Sequence, residues 1–170
     1  LSILTVDEWG RYRYYTTQKL GTYFARETFY HERGIYLEER TKALLVGVNL
    51  NNDPEFETAL KELESLAEAC DMEVVGVETQ NVSQINTGVY VGTGRVEEIK
   101  AVVHMLEADV VIFDNMLSPM QLRNLKDIIE RPVFDRTHLI LQIFSSRART
   151  REAQIQVETA RLQYELPRLT

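Results

Sequence analysis

The sequence predicts an α/β fold: a small four-stranded, mainly parallel sheet with flanking helices. An aromatic-rich β-hairpin extension precedes it, and the start of an α-helical hairpin follows it. Three observations predict this. From Lys42 to Phe134, short continuous apolar runs alternate with stretches of helical periodicity, as in a parallel sheet built from right-handed crossovers. Near the end, Ile155, Thr159, Leu162 and Leu166 step by four, three and four, the seam of a helix that packs on another helix. At the start, aromatic and apolar residues alternate with period two.

Residues 1–40 form the extension. Leu1-Ser2-Ile3-Leu4-Thr5-Val6 and Arg11-Tyr12-Arg13-Tyr14-Tyr15-Thr16 flank Asp7-Glu8-Trp9-Gly10, a turn between two strands. The tyrosines could stack on nucleic-acid bases, although packing on a neighbouring domain is the commoner use of such aromatics. Residues 20–37 fit no single element, and the role of the extension stays open.

The α/β domain is expected over residues 41–146. Ala43-Leu44-Leu45-Val46-Gly47-Val48 is a strand covered on both faces. After a loop with Asn51, Asn52, Asp53 and Pro54, the residues Phe56, Ala59, Leu60, Leu63, Leu66, Ala67 and Cys70 recur at helical spacing. Glu73-Val74-Val75-Gly76-Val77-Glu78 is the second strand. Gly92-Thr93-Gly94 opens a helix carrying Val96, Ile99, Val103 and Leu106, and Asp109-Val110-Val111-Ile112-Phe113 is the third strand. Ser118-Pro119-Met120-Gln121 has the serine, first-turn proline and following glutamine of a capped helix start. Leu122, Leu125, Ile128 and Ile129 form that helix's inner stripe, and Pro132-Val133-Phe134 is the short fourth strand. Residues 137–144 are apolar and expected to be buried. Residues 147–170 begin a hairpin whose partner helix is not in the chain.

Composition bounds the function. At 170 residues the chain holds one domain and something extra, and 44% hydrophobic with 26% charged residues is ordinary for a globular protein. A formal net charge of -7 argues against a generally basic nucleic-acid coat. The charge is uneven, however. Carboxylates crowd residues 53–78 against Lys61 alone. Arg123, Lys126, Arg131, Arg136, Arg147, Arg149 and Arg151 outnumber Asp127, Glu130 and Asp135 further on. Such polarity lets an acidic protein approach a polyanion with one side. One cysteine, Cys70, excludes an internal disulfide framework and fits a reducing compartment. No apolar run approaches the roughly 20 residues of a membrane span and no signal peptide is visible, so the expectation is cytoplasmic. Leu1 in place of a methionine, and an end at Thr170 just after Pro167, are expected of a piece of a longer chain.

Arg147, Arg149 and Arg151 concentrate positive charge between neutral segments. Extended, they project from one side; in a helix, Arg147 and Arg151 share a face. Either way they present forked, permanent donors suited to phosphate oxygens. A solvated helix start with these arginines paired to Asp135, Glu152 or Glu158 is the plainer reading. Gly92-Thr93-Gly94-Arg95 resembles a phosphate loop at a helix N-terminus but lacks a Walker element, and a plain turn explains it as well. Asp114 and Asp135 end strands where α/β sites gather, yet turn capping or neutralisation of Arg136 accounts for them. His31, His104 and His138 lack metal-ligand spacing, and Ser145 and Ser146 lack a nucleophile elbow. No catalytic constellation emerges.

Taken in order, the pieces resemble the N-terminal domain of the HflX GTPases. The resemblance lies in Ala43-Leu44-Leu45-Val46-Gly47-Val48, Tyr90-Val91-Gly92-Thr93-Gly94-Arg95-Val96-Glu97-Glu98 and Ile112-Phe113-Asp114-Asn115 with Leu117-Ser118-Pro119. It continues in Arg123-Asn124-Leu125, Asp135-Arg136-Thr137, Leu139-Ile140-Leu141, Ile143-Phe144 and Arg147-Ala148-Arg149-Thr150-Arg151-Glu152. It ends with Gln156-Val157-Glu158 and Leu166-Pro167-Arg168-Leu169. Thr93 and Arg95 stand where the family tends to have serine and lysine, and residues 1–39 show no placeable likeness. The resemblance implies a GTPase that binds the large ribosomal subunit and splits stalled or idle ribosomes. It implies a helical hairpin, starting near Thr150, that links to a P-loop GTPase domain beyond Thr170. GTP and Mg2+ belong to that absent domain, and no cofactor is expected in this segment. On this footing Arg147, Arg149 and Arg151 would contact ribosomal RNA phosphates, with Gly92, Thr93, Gly94 and Arg95 as a second contact. Nucleotide (ATP) binding by the glycine loop with Asp114 is the alternative, and arginines that merely fix the hairpin are a third reading. The unpaired Ile155, Leu162 and Leu166 stripe would favour pairing of two copies of the fragment.

Overall fold

The computed structural model describes residues 40–168 and, ahead of them, the backbone of three strands: β1 (Ser2–Val6), β2 (Tyr12–Thr16) and β3 (Thr28–Tyr30). These pair antiparallel in the order β1-β2-β3, with Ser2 opposite Thr16 and Tyr12 opposite Tyr30. The aromatic side chains and the turn that led to the expected hairpin lie outside the described residues. The chain divides after Thr41 into two compact units, the second of which holds the α/β elements.

The elements of this second unit are β4 (Thr41–Leu50), α1 (Phe56–Ala69), β5 (Met72–Val82), α2 (Thr93–Met105), β6 (Val110–Phe113), α3 (Pro119–Ile129), β7 (Val133–Asp135), α4 (Arg136–Arg147) and α5 (Arg151–Glu165), closed by a turn of 3-10 helix over Leu166–Arg168. The four strands form one parallel sheet in the order β5-β4-β6-β7. Ala43 pairs with Val110 and Val111 with Val133. β4, first in sequence, lies inside the sheet because the chain crosses back over it after β5. The direction of travel therefore reverses between β4 and β6, where α/β folds place their ligand crevices.

Both faces of the sheet are covered, which explains the continuous apolar runs. Leu44, Val46, Val111 and Phe113 face a core completed by Val96, Ile99 and Val103 of α2 and Leu125 and Ile129 of α3. The alternate positions of β4 face α1. A Cβ on Gly47 would meet Leu60 Cδ2 at 2.5 Å and Phe56 Cζ at 2.9 Å, so a glycine here lets α1 sit close against the strand. The start of α3 is built as the spacing predicts: Ser118 Oγ accepts from Gln121 N at 3.2 Å, and Gln121 Oε1 accepts from Ser118 N at 2.9 Å.

Residues 137–144, expected as a buried apolar stretch, form most of α4, and only Leu139 of that helix is fully buried. The helix lies over one edge of the sheet, so its other apolar side chains are covered in part. α5 turns back along α4. Its inward side chains, Ala153, Val157, Ala160, Arg161 and Tyr164, follow helical spacing and are partly covered. The expected seam lies on the other side: Ile155, Leu162 and Leu166 are 58%, 44% and 59% exposed. No described helix is long and apolar enough to cross a membrane.

Candidate functional site

The three arginines occupy the corner between α4 and α5. α4 ends at Arg147, and Ala148 N donates to Phe144 O at 2.9 Å as the last helical bond. Ala148 and Thr150 are extended. Thr150 then caps α5, its Oγ1 accepting from Ala153 N at 3.2 Å. Arg147, Arg149 and Arg151 are all exposed. Among the described residues none of them pairs with Asp135, Glu152 or Glu158. Glu158 is held by Arg161 at 2.7 Å. Glu152 stands alone as the acidic residue in the first turn of α5. Among the described residues these three guanidinium groups have no ion-pair partner, and such an exposed cationic corner attracts anions.

Asp135 has other partners. Fully buried at the end of β7, it accepts from His138 N at 3.2 Å, Leu117 N at 3.3 Å and the Tyr164 hydroxyl at 2.8 Å. Arg168 Nη2 lies 3.5 Å from its second oxygen. The Arg168 guanidinium also sits 3.6 Å over the Tyr164 ring and donates to Leu117 O at 3.1 Å. One carboxylate thus caps α4 and fastens the far end of α5 to the sheet. Burial and the Asp135 charge push the Tyr164 hydroxyl pKa up, so the group remains a donor. His138 stacks on Phe134 with ring centroids 4.2 Å apart. Burial, aided by Arg168 and Arg161 and opposed by Asp135, pushes its imidazole down to about 4. Asp114 pairs with Arg136 at 3.0 Å, and Arg136 also reaches Glu62. Burial raises the Asp114 carboxyl, with Arg136 acting against it. Both aspartates therefore do the structural work the sequence allowed. Among the described residues no cluster of His, Cys, Asp or Glu could hold a metal ion.

The glycine loop is elsewhere. Gly92 precedes α2 in extended conformation, its N–H donating to Gln80 Oε1 at 3.3 Å. A Cβ on Gly94 would meet nothing within 4 Å, so this glycine faces open space. Arg95 is engaged by Glu78, by Glu98 at 2.6 Å and by Thr79 O at 3.0 Å. Its charge is therefore largely offset. The loop before it is locked from α3: Gln121 Nε2 donates to Asn86 O at 3.1 Å and Asn124 Nδ2 to Gly88 O at 2.9 Å. Tyr90, next in the loop, has φ 68°, a left-handed conformation unusual for a bulky side chain. Burial raises its hydroxyl pKa and the Asp114 carboxylate adds to this. The bonds from the first turns of α3, which follows β6, hold the loop at the carboxyl end of the sheet. Arg136 starts α4 at that same end, and twelve helical residues rise about 18 Å. The structure therefore does not unite the two predicted patches: the glycine loop lies at one end of the unit and the arginine corner at the far end of α4.

Sequence reasoning missed the lock on the loop, because Gln121 already had a visible role in its own cap. It also missed Phe144, which read as core and is 57% exposed.

Comparison with known proteins places this arrangement. The family described as GTP-binding GTPase N-terminal matches residues 57–145, and GTP-binding GTPase Middle Region matches residues 147–170. A GTPase HflX of Alkalihalophilus pseudofirmus is 47% identical over 128 residues, 75% of this chain and 30% of that protein. The GTPase HflX of Escherichia coli (strain K12) is 41% identical over 128 residues, with the same shares. The crystal structure of a GTP-binding protein from the hyperthermophilic archaeon Sulfolobus solfataricus in complex with GDP superimposes with a TM-score of 0.58 at 28% identity. It covers 75% of this chain and 38% of that one. The chain thus spans about a third of the length of the curated relatives it matches.

Proposed function

This chain belongs to the HflX family of GTPases as its N-terminal portion, and from that premise we propose that it is the ribosome-binding arm of a GTP-hydrolysing protein. Its partner is the ribosomal RNA of the large subunit, and its cellular task is ribosome splitting and rescue in the cytoplasm. GTP and Mg2+ are handled by sequence that follows residue 170. The observation that carries the reading is the exposed corner at Arg147, Arg149 and Arg151, whose charge no described carboxylate neutralises. An acidic protein with one bare cationic corner meets a polyanion in a single orientation. Phosphate contact at such a corner releases counterions and makes affinity fall steeply with salt. Gly92, Thr93, Gly94 and Arg95 would form a second, weaker contact at the opposite end. There the backbone N–H groups of the helix start supply the attraction, since Arg95 is already paired.

Co-sedimentation with isolated large subunits across a salt series tests the reading. Wild type pellets with the subunit at low salt, whereas R147E/R149E stays in the supernatant. Equal pelleting of both would overturn it. A second reading, nucleotide binding by the glycine loop, is favoured by the open space at Gly94 beside the carboxyl end of a parallel sheet. Glu78 and Glu98 oppose a polyphosphate there. Saturable heat on titrating ATP into this chain would favour that second reading.

A further inference from the structure

We infer that Phe144 is a base-stacking residue of the arginine corner, and that the corner takes unpaired rather than duplex RNA. The inference rests on the reading of the corner as an RNA interface and narrows its ligand.

Phe144 is the only exposed phenylalanine among the described residues; Phe56 and Phe113 are buried and Phe134 is partly covered. It sits one turn before the end of α4, three residues from Arg147, and positions three apart on a helix are neighbours. Ser145 near the end of α4 and Ala148 just past it line an open groove with Arg151, Ile155, Thr159 and Leu162 of α5. Phe144 is not among the residues that line that groove, and its direction on the helix differs from that of Ser145 by about 100°. Its exposed ring adjoins Arg147 on the helix surface.

An apolar ring beside free guanidinium groups serves unpaired nucleic acid better than a duplex. In duplex RNA the bases are stacked on each other and the readable surface is sugar and phosphate, which offers a phenyl ring nothing to stack on. Splayed bases in loops and single strands stack on aromatic faces while arginines hold the flanking phosphates. Arg147 lies within one helical turn of the ring, and Arg149 and Arg151 continue along the corner. Glu152 is the one carboxylate in the first turn of α5 and marks the edge of the cationic surface.

The test measures fluorescence anisotropy of the 170-residue chain with a short unstructured oligoribonucleotide and with a blunt RNA duplex of equal length. Phe144→Ala should weaken the unpaired ligand about tenfold, as expected of one lost base–aromatic stack, and leave duplex binding and the salt slope unchanged. Phe144→Trp should hold or improve affinity. Arg147→Glu should weaken both ligands and flatten the salt dependence. If Phe144→Ala changes neither affinity, or lowers both equally, the inference fails while the interface stands. If wild type binds neither RNA, the interface itself fails and the inference with it. Ring removal at an exposed site should leave the urea midpoint in place, so any loss reports on binding.

Discussion

Tyr164 donates its hydroxyl to Asp135 Oδ1 at 2.8 Å across 29 residues of sequence, tying the last turn of α5 to the tip of β7. The acceptor is a fully buried carboxylate, so this is a charge-assisted bond made away from water. Tyr164→Phe should cost about 1–2 kcal/mol in urea unfolding. Amide exchange should accelerate in α5 and hardly at all in β6. Uniform acceleration across the unit would mean that Tyr164 stabilises the fold generally and does not latch α5. Asp135→Asn should cost more, about 2–4 kcal/mol, because Arg168 loses its buried counter-charge.

His138 makes stability depend on pH with a definite sign. Its folded pKa, about 4, lies below the ordinary 6.5, so the unfolded chain binds the proton more readily. The contribution is whole above about pH 6.5 and is lost as pH falls toward about 4. On the order of 2 kcal/mol should disappear between pH 7 and pH 5. His138→Phe keeps a ring against Phe134 and should remove that part of the slope. An unchanged difference between the two pH values in the variant would show that other groups cause it.

The arginine corner should separate binding from stability. Arg147→Glu and Arg149→Glu break no ion pair among the described residues, and exposed changes of this kind usually stay within about 0.5 kcal/mol. Their unfolding midpoints should match wild type while subunit binding is lost. A fall in melting temperature that parallels the lost binding would assign the arginines to holding the α4–α5 corner.

Gly47→Ala should be costly although the change is a single methyl. The new Cβ would collide with Leu60 and Phe56, and α1 must shift or the side chains must leave their rotamers. Overpacking of this kind costs about 1–3 kcal/mol, read as a lower urea midpoint. Gly94→Ala, in open space, should cost much less and serves as the control.

Cys70 should modify slowly. Burial pushes its thiol up to about 11, and its Sγ contacts Leu139 O at 3.7 Å. A thiol-specific reagent at pH 8 should react far more slowly than with a free thiol, and at full rate once urea unfolds the chain.

The sheet was legible because two-sided burial writes strands as unbroken apolar runs, and Ala43 to Val48 could hardly be anything else. The start of α3 was legible because its cap is local, three residues from end to end. Asp135 was half legible: helix capping could be read from its position, but Leu117, Tyr164 and Arg168 converge on it only through the tertiary fold. The α4 segment misled because Leu139-Ile140-Leu141 looks fully buried as a run, whereas wrapping it on a helix distributes those side chains around the axis. Phe144 misled for the same reason. The separation of glycine loop from arginine corner is a matter of where α4 ends, which spacing in sequence does not convey.

α5 rests along α4 on one side, is pinned to β7 at its last turn, and carries bare Ile155 and Leu162 on the other. A rod clamped at its tip and supported along its length passes a push onward instead of bending to absorb it. Whatever leans on the bare flank would therefore be felt at β7, so strain applied near residue 155 should register in the anchoring carboxylate before it disturbs the sheet's interior.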